Sequence, residues 1–296
     1  MKLGVDLGGT RIKAGLVTDD GHVHTRAMRA TPDDRSVEAV VESIVSVVAD
    51  MAPHATTVGL AAAGVMERST GLIRESPNFP AWRDVPLGAH LARRLELPVN
   101  LDNDANAVVF GEARHGAGQG ASSLIGYALG TGVGGAVVLN GRLWRGVRGM
   151  AGELGHAVVV RDGHPCGCGG RGCLEQYAGA VGLWRQLAEH GYTEYASGVD
   201  GIRLASEAAR AGDTTLRELF KSLGSHLGVA IAGAVHALDV QRVVLAGGLT
   251  GASDLFLEAT YASMRRHAFP SVADGVEIVV GTLGEDAGVI GAAALE

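Results

Sequence analysis

The chain begins with the stretch KLGVDLGGTRIKAGLV at residues 2–17, in which two mostly apolar runs flank a pair of glycines. Apolar residues at alternating positions predict a β-strand over residues 2–7, and Gly8-Gly9 predicts a turn at its end. Second and third strands are predicted over Ile12–Val17 and His22–Met28, because turn residues separate them. The first part of the chain is therefore expected to open with three antiparallel strands.

The same strand–turn–strand pattern returns later in the chain. Leu124–Leu129 and Ala136–Leu139 are predicted strands on either side of a glycine-rich turn, Gly130–Gly135. The remaining predictions alternate helix and strand: a helix capped by Ser36, a strand over Thr57–Ala63, a helix over Leu87–Leu95, a strand over Val99–Leu101, a helix over about Leu216–Leu238, a strand over Arg242–Ala246, a helix near Ser253–Arg266, a strand over Val276–Val280 and a helix over Asp286–Leu295. The pattern indicates a structural repeat in an α/β protein.

Length and composition narrow the class of protein. The chain has 296 residues, 47% of them hydrophobic, which suits two domains with separate cores. The formal net charge is −7 and no basic run is present, so the sequence favours a small-molecule partner over nucleic acid. No signal peptide and no apolar run of about 18 residues is visible, so no membrane partner and a cytoplasmic location are expected.

Two glycine turns at equivalent places suggest contacts with phosphate groups. They are Asp6-Leu7-Gly8-Gly9-Thr10 and Leu129-Gly130-Thr131-Gly132, and in each the backbone N–H groups can approach an anion closely. Neither matches the P-loop or the dinucleotide-binding pattern, and an ordinary hairpin turn is the alternative for each. Gly247-Gly248, between a predicted strand and a predicted helix, is a third place where a nucleotide is expected.

Cys166, Cys168 and Cys173 lie within eight residues of one another. An odd number of cysteines at this spacing is a poor disulfide framework and favours a metal site. Three incidental reduced thiols are the alternative.

With these motifs in place, the chain resembles the ROK family of sugar kinases and related repressors, within the actin/hexokinase/Hsp70 superfamily. The resemblance runs over essentially the full length. It depends on four segments: Asp6-Leu7-Gly8-Gly9-Thr10, Asn103-Asp104-Ala105-Asn106, Gly152-Glu153-Leu154-Gly155-His156 and the cysteine segment from Cys166 to Glu175. One departure is Ala63-Gly64, where the family often has Pro-Gly; Gly64 still allows backbone contact with a sugar.

The resemblance implies an α/β fold of the two-lobed actin-like ATPase (RNase H-like) type, with the active-site cleft between the lobes. Residues 1–102 and 283–296 are expected to form a smaller N-terminal lobe. Residues 103–282 are expected to form a larger C-terminal lobe that contains the zinc loop, which is the cysteine segment expected to bind zinc.

The resemblance also implies site residues. A structural Zn²⁺ is expected on His156, Cys166, Cys168 and Cys173, a set that suits tetrahedral coordination. Asp104 is the expected catalytic base, with Asp102 as a competitor. The expected sugar-binding residues are Gly64, Asn78, Asn103, Asp104, Glu153, His156 and Glu175. ATP and Mg²⁺ are expected at Asp6, Gly8, Gly9, Thr10, Arg11, Lys13, Gly130, Thr131, Gly132, Gly134, Gly247 and Gly248. Taken alone, Asp6 also fits a turn-capping residue and Lys13 a solvated strand residue.

The function implied is ATP-dependent phosphorylation of a hexose hydroxyl, with glucose to glucose 6-phosphate first and N-acetylmannosamine or fructose as alternative substrates. Polyphosphate in place of ATP stays open. A sugar-responsive repressor is disfavoured, because the first strand starts at residue 2 and leaves no space for a helix-turn-helix. A non-catalytic sugar-binding protein is disfavoured by the two phosphate turns. The family further implies a homodimer or homotetramer.

Overall fold

The computed structural model describes residues 1–67 and 70–296. The described strands are, in chain order, β1 (Lys2–Leu7), β2 (Arg11–Val17), β3 (Val23–Ala30), β4 (Val58–Ala62), β5 (Val65–Glu67), β6 (Leu72–Glu75), β7 (Val99–Asn103), β8 (Leu124–Leu129), β9 (Val133–Leu139), β10 (Arg142–Leu143), β11 (Arg242–Ala246) and β12 (Glu277–Val280). The helices are α1 (Val37–Val48), α2 (Leu87–Leu95), α3 (Asp104–His115), α4 (Glu175–Ala178), α5 (Ala180–Glu189), α6 (Gly198–Ala211), α7 (Thr214–Leu238), α8 (Ser253–His267), α9 (Pro270–Ala273) and α10 (Ala287–Ala293).

The chain divides into two compact units. The first contains residues 1–120, 141–152 and 282–296, and the second contains residues 121–140 and 153–281. Each unit has its own apolar core. Among the described residues, no helix combines the length and the apolar character that crossing a membrane requires.

In the first unit, five strands form a sheet in the order β3-β2-β1-β4-β7. The first three pair antiparallel, as the sequence predicts, whereas β1, β4 and β7 are parallel. Leu7 pairs with Ala62 and Ala62 with Asn103, so the carboxyl ends of the three parallel strands meet at one edge of the sheet. The residues that follow these ends are therefore brought together.

The C-terminal helix α10 packs on this sheet at very close range. A Cβ atom at Gly59 in β4 would collide with the carbonyl oxygen of Ala292, and one at Gly291 would collide with the carbonyl oxygen of Ala107 in α3. Glycine at these positions lets the helix backbone lie directly against β4 and α3. This contact joins residues 282–296 to the N-terminal part of the chain.

The unit boundaries differ from the expected ones. The sequence-based division places residues 103–120 and 141–152 in the C-terminal lobe, whereas the structure places both segments in the first unit. Residues 103–120 belong to the first unit because α3 packs on α10, through Ala107, Gly111 and Gly291. Residues 141–152 are held to the same unit in part by an ion pair between Arg145 and Asp102.

In the second unit, β9, β8, β11 and β12 are neighbours in that order. The pair β8–β9 is antiparallel, and β11 runs parallel to both β8 and β12. This is the order and direction of β2, β1, β4 and β7 in the first unit, so the predicted structural repeat is confirmed. The glycine turn is shorter than predicted, because β9 already begins at Val133 and contains Gly134.

We predict that Gly59→Ala strongly destabilises the protein, because the added methyl group collides with backbone that cannot move independently of α10. Overpacking of this kind costs about 1–3 kcal/mol or more in the free energy of unfolding. Gly233→Ala is the matched control, since Gly233 lies exposed in α7 with nothing near its Cβ position, and should stabilise the protein by about 1 kcal/mol. Urea unfolding measures both; equal free energies for the two variants would contradict the packing described here.

Candidate active site

The Gly8–Thr10 turn lies at the carboxyl edge of the first unit's sheet and is held by hydrogen bonds to its carbonyl groups. The Thr31 hydroxyl donates to the Gly8 carbonyl at 2.8 Å, and the Thr31 N–H donates to the Thr10 carbonyl at 3.0 Å. The Asn78 side chain lies against Gly9, where a Cβ would be 3.0 Å from the Asn78 amide. The structure therefore places Asn78 beside this turn.

Asp6, near the end of β1, is a partly buried carboxylate at the same edge. A Cβ on Gly288 of α10 would lie 2.8 Å from Asp6 Oδ2, so the helix backbone covers the carboxyl group. Burial raises the pKa of Asp6 to about 6; the nearby Asp104 carboxylate also raises it, and Lys13 lowers it. Asp6 and Asp104 thus lie close enough to interact electrostatically.

Asp104 is the first residue of α3, directly after the parallel strand β7. Its Oδ1 accepts a hydrogen bond from the Ala105 N–H at 2.9 Å. Burial raises the pKa of Asp104 above its ordinary value, against the lowering effect of this hydrogen bond. A carboxylate with a raised pKa is a better proton acceptor near neutral pH than an exposed one.

Asp102, the competing candidate for the base, has a different environment. Its Oδ1 accepts from the Asn103 N–H and from Asn106 Nδ2, both at 2.8 Å. Its Oδ2 accepts from Arg145 Nε at 2.6 Å. Both carboxylate oxygens are thus bound by donors within the protein, and the side chain is only 6% exposed.

Asn103 and Gly64 lie together at this edge. Asn103 Nδ2 donates to the Gly64 carbonyl at 3.2 Å, while Asn103 Oδ1 caps α3 by accepting from the Ala105 and Asn106 N–H groups. Two basic residues, Arg11 and Lys13, are expected to bind ATP. Lys13 forms an ion pair with Glu285 at 3.2 Å, and Arg11 is exposed at the start of β2.

In the second unit, two glycine segments meet at the carboxyl ends of β8 and β11. The Gly130 and Thr131 carbonyls accept from the Ala180 and Val181 N–H groups at the start of α5, at 3.0 and 3.1 Å. A Cβ on Gly247 would lie 2.5 Å from the Leu129 carbonyl oxygen, so the second segment passes directly beside the first. Gly248 begins the short 3₁₀ helix Gly248–Ala252.

Glu175 joins the Gly130–Gly132 turn to the cysteine segment. Glu175 Oε2 accepts from the Val133 N–H at 3.2 Å, and a side chain at Gly132 would collide with it. Glu175 Oε1 accepts from Cys166 Sγ at 3.7 Å. A single carboxylate therefore contacts both features that the sequence singles out.

His156, Cys166, Cys168 and Cys173 place their ligand atoms within 4.8 Å of one another. Cys168 Sγ lies 3.6 Å from Cys173 Sγ, and Cys166 Sγ lies 3.5 Å from His156 Nδ1. Tetrahedral zinc with Zn–S bonds of about 2.3 Å separates its sulfur ligands by about 3.8 Å. The donor set and its spacing thus fit Zn²⁺.

His156 also faces Glu153. Its Nε2 lies 3.7 Å from Glu153 Oε2, on the side of the ring away from Cys166. The Glu153 side chain is 61% exposed. The structure thus brings together the two polar residues predicted to bind sugar in this segment.

Tyr177 is a residue of this region that sequence reasoning missed as a contributor. Its phenol oxygen accepts from the His164 N–H at 2.9 Å, and its ring stacks on His226 with centroids 4.7 Å apart. It thereby fixes the start of the cysteine loop. Its position next to Glu175 and Gln176 on a short helix carries no signal in the sequence that distinguishes it from an ordinary core tyrosine.

Known proteins resemble the chain over its whole length. Residues 2–296 match the ROK family. A glucokinase of Thermotoga maritima is 37% identical, with 99% of this chain and 96% of the relative covered. An N-acetylmannosamine kinase of Haemophilus influenzae is 30% identical, with 98% and 93% covered.

A solved structure gives the same picture. The ROK family glucokinase from Streptomyces griseus, in complex with glucose and AMPPNP, superposes with a TM-score of 0.82 at 36% identity, covering 99% of this chain and 98% of that one. The resemblance stated from the sequence motifs is therefore confirmed, and with it the α/β fold of the ROK sugar kinases. The chain belongs to the ROK family.

Proposed function

We propose that the protein is an ATP-dependent hexose kinase that converts glucose to glucose 6-phosphate. The observation that carries this proposal is the environment of Asp104, a carboxylate at the strand edge whose pKa burial raises. The similarity to glucokinases supports glucose as the substrate, since these relatives share more identity with the chain than the N-acetylmannosamine kinase does. N-acetylmannosamine is the second candidate, and fructose is the third.

In the proposed reaction, the oxygen of the sugar hydroxyl bonds to the γ-phosphorus of ATP, and Asp104 accepts the proton of that hydroxyl. The bond between that phosphorus and the bridging oxygen of ADP breaks in the same step. Positioning and charge stabilisation supply most of the catalysis in phosphoryl transfer. Asn78, Asn103 and Gly64 are proposed to bind the sugar in the first unit; Glu153, His156 and Glu175 are the proposed sugar ligands in the second.

Nucleotide binding is proposed at the glycine segments of both units. In the first unit the residues are Gly8, Gly9, Thr10, Arg11 and Lys13; in the second they are Gly130, Thr131, Gly132, Gly134, Gly247 and Gly248. AMPPNP in the Streptomyces griseus enzyme is an analogue of ATP and supports this assignment. We further propose that Asp6 holds Mg²⁺, since carboxylate oxygens are ligands that this ion prefers.

The direct test is ADP release from ATP-Mg²⁺ in the presence of glucose, N-acetylmannosamine, fructose and mannose, with the wild type and Asp104→Asn. We expect the highest kcat/KM on glucose and a loss of about 10²–10⁴-fold in the variant, the usual value of a general base. Asp6→Asn should shift the Mg²⁺ dependence to higher concentration.

The control is Asp254→Asn, which removes a carboxylate from an ion pair with Arg210. This variant should keep wild-type turnover. Folded wild-type protein that phosphorylates no sugar would overturn the proposed function, and full activity in Asp104→Asn would overturn the role of Asp104.

We propose that His156, Cys166, Cys168 and Cys173 bind one structural Zn²⁺. Burial raises the pKa of the Cys173 thiol to about 12, and a bound cation offsets this cost by favouring the thiolate. With four protein ligands, the ion orders the loop and leaves no position for a reacting water.

Metal analysis of the purified protein should give one zinc per chain. His156→Ala and Cys168→Ser should lose it and unfold at lower temperature, whereas His22→Ala should retain it. Zinc-free wild type with unchanged thermal stability would contradict a structural metal. A homodimer or homotetramer and a cytoplasmic location stay predictions, the first of which light scattering measures.

A further inference from the structure

Two carboxylates stand on either side of Asn103, and their surroundings differ. The Asp104 carboxylate accepts a hydrogen bond from the Ala105 N–H on its Oδ1. Asp102 points into the protein, where three donors bind it. The proposed function assigns the base to Asp104 and gives no role to Asp102.

The first link from Asp102 runs to the beginning of α3. Asn106 lies in the first turn of this helix, and its Nδ2 donates to Asp102 Oδ1 at 2.8 Å, with both residues buried. The same oxygen accepts the Asn103 N–H. Asp102 therefore fixes the junction between β7 and α3, in which Asp104 is the first helical residue.

The second link runs to Arg145, in the segment of residues 141–152. Arg145 Nε donates to Asp102 Oδ2 at 2.6 Å, and the Arg145 side chain is 20% exposed. Arg145 also forms a backbone hydrogen bond within this segment, because the Ala151 N–H donates to the Arg145 carbonyl at 2.9 Å. Leu143 of this segment is buried, whereas Trp144 and Val147 are largely exposed, and the ion pair attaches the segment to the β7–α3 junction.

A buried ion pair adds little net stability, because the cost of desolvating both charges offsets their attraction. Removal of one partner leaves the other charge buried without compensation, whereas removal of both is tolerated better. The geometry of the β7–α3 junction should therefore depend on the presence of both charges or of neither. Misplacement of a reacting group by about 1 Å can cost about 10²-fold in rate.

We propose that Asp102, Asn106 and Arg145 form a positioning cluster that sets the place of the Asp104 carboxylate without contacting substrate. The proposal rests on the proposed kinase function for its effect on rate. The cluster itself is a property of the fold and has a readout that does not need activity.

The test is a double-mutant cycle of Asp102→Asn and Arg145→Met. Each single variant should lower kcat by about ten-fold to 10²-fold, with the KM for ATP changed less than about two-fold. The double variant should recover a large part of kcat, because the amide oxygen that Asp102→Asn introduces can still accept from the Asn103 and Asn106 donors while no charge stays unpaired. Arg145→Lys should fall between the wild type and Arg145→Met, since lysine keeps the charge but not the Nε–H direction.

Hydrogen exchange gives the second readout. Peptides covering residues 103–108 should exchange faster in both single variants than in the wild type, and more slowly again in the double variant. Arg210→Met is the control, because it breaks an exposed Arg–Asp pair in the second unit and should change neither exchange at 103–108 nor kcat.

Three results would overturn the proposal. One is a pair of single effects on kcat that simply multiply in the double variant; another is unchanged exchange at residues 103–108. The third is a loss in Asp102→Asn as large as in Asp104→Asn with no recovery in the double variant, which would make Asp102 the base. Should the wild type phosphorylate no sugar, the proposed function fails, and the exchange measurement alone decides on the cluster.

Discussion

The parallel pairing of β1, β4 and β7 is the constraint on which the candidate site of the first unit depends. Because Leu7, Ala62 and Asn103 lie in register, the glycine turn, Gly64 and Asp104 follow at one edge of the sheet. Residues far apart in sequence thereby meet at this edge. The second unit repeats the arrangement at the ends of β8 and β11, where the Gly130 turn and Gly247 lie side by side.

Neighbouring acidic groups at this edge differ in their surroundings. Burial raises the pKa of both Asp6 and Asp104, and the Asp104 carboxylate raises the pKa of Asp6 further. Asp102 is more deeply buried, and both of its carboxylate oxygens accept hydrogen bonds. Sequence distance does not distinguish Asp102 from Asp104, since they are two residues apart; their hydrogen-bond partners do.

Much of this was predictable from residue patterns. Alternating apolar residues gave β1 and β2, Ser36 was recognised as the cap of α1, and the spacing of Cys166, Cys168 and Cys173 indicated the metal cluster. The helices α3, α5 and α6 and the extent of the first unit were not predicted. The helices α5 and α6 do bury residues at helical spacing, such as Leu183 and Leu187 in α5 and Ala205 and Ala209 in α6. The extent of the first unit, in contrast, depends on close contacts such as Gly291 on Ala107, and on partners distant in sequence, such as Arg145 for Asp102. Such contacts leave no periodic signal.

The pH dependence of kcat/KM for glucose tests the central claim, that burial turns Asp104 into a base. We expect activity to fall on the acidic side with a midpoint above about 4, the ordinary value for aspartate. This fall in activity should persist in Asp6→Asn, which removes the other carboxyl group with a raised pKa. It should disappear from the residual activity of Asp104→Asn. An acidic limb that is unchanged in Asp104→Asn, or activity that stays constant down to about pH 4, would contradict the account.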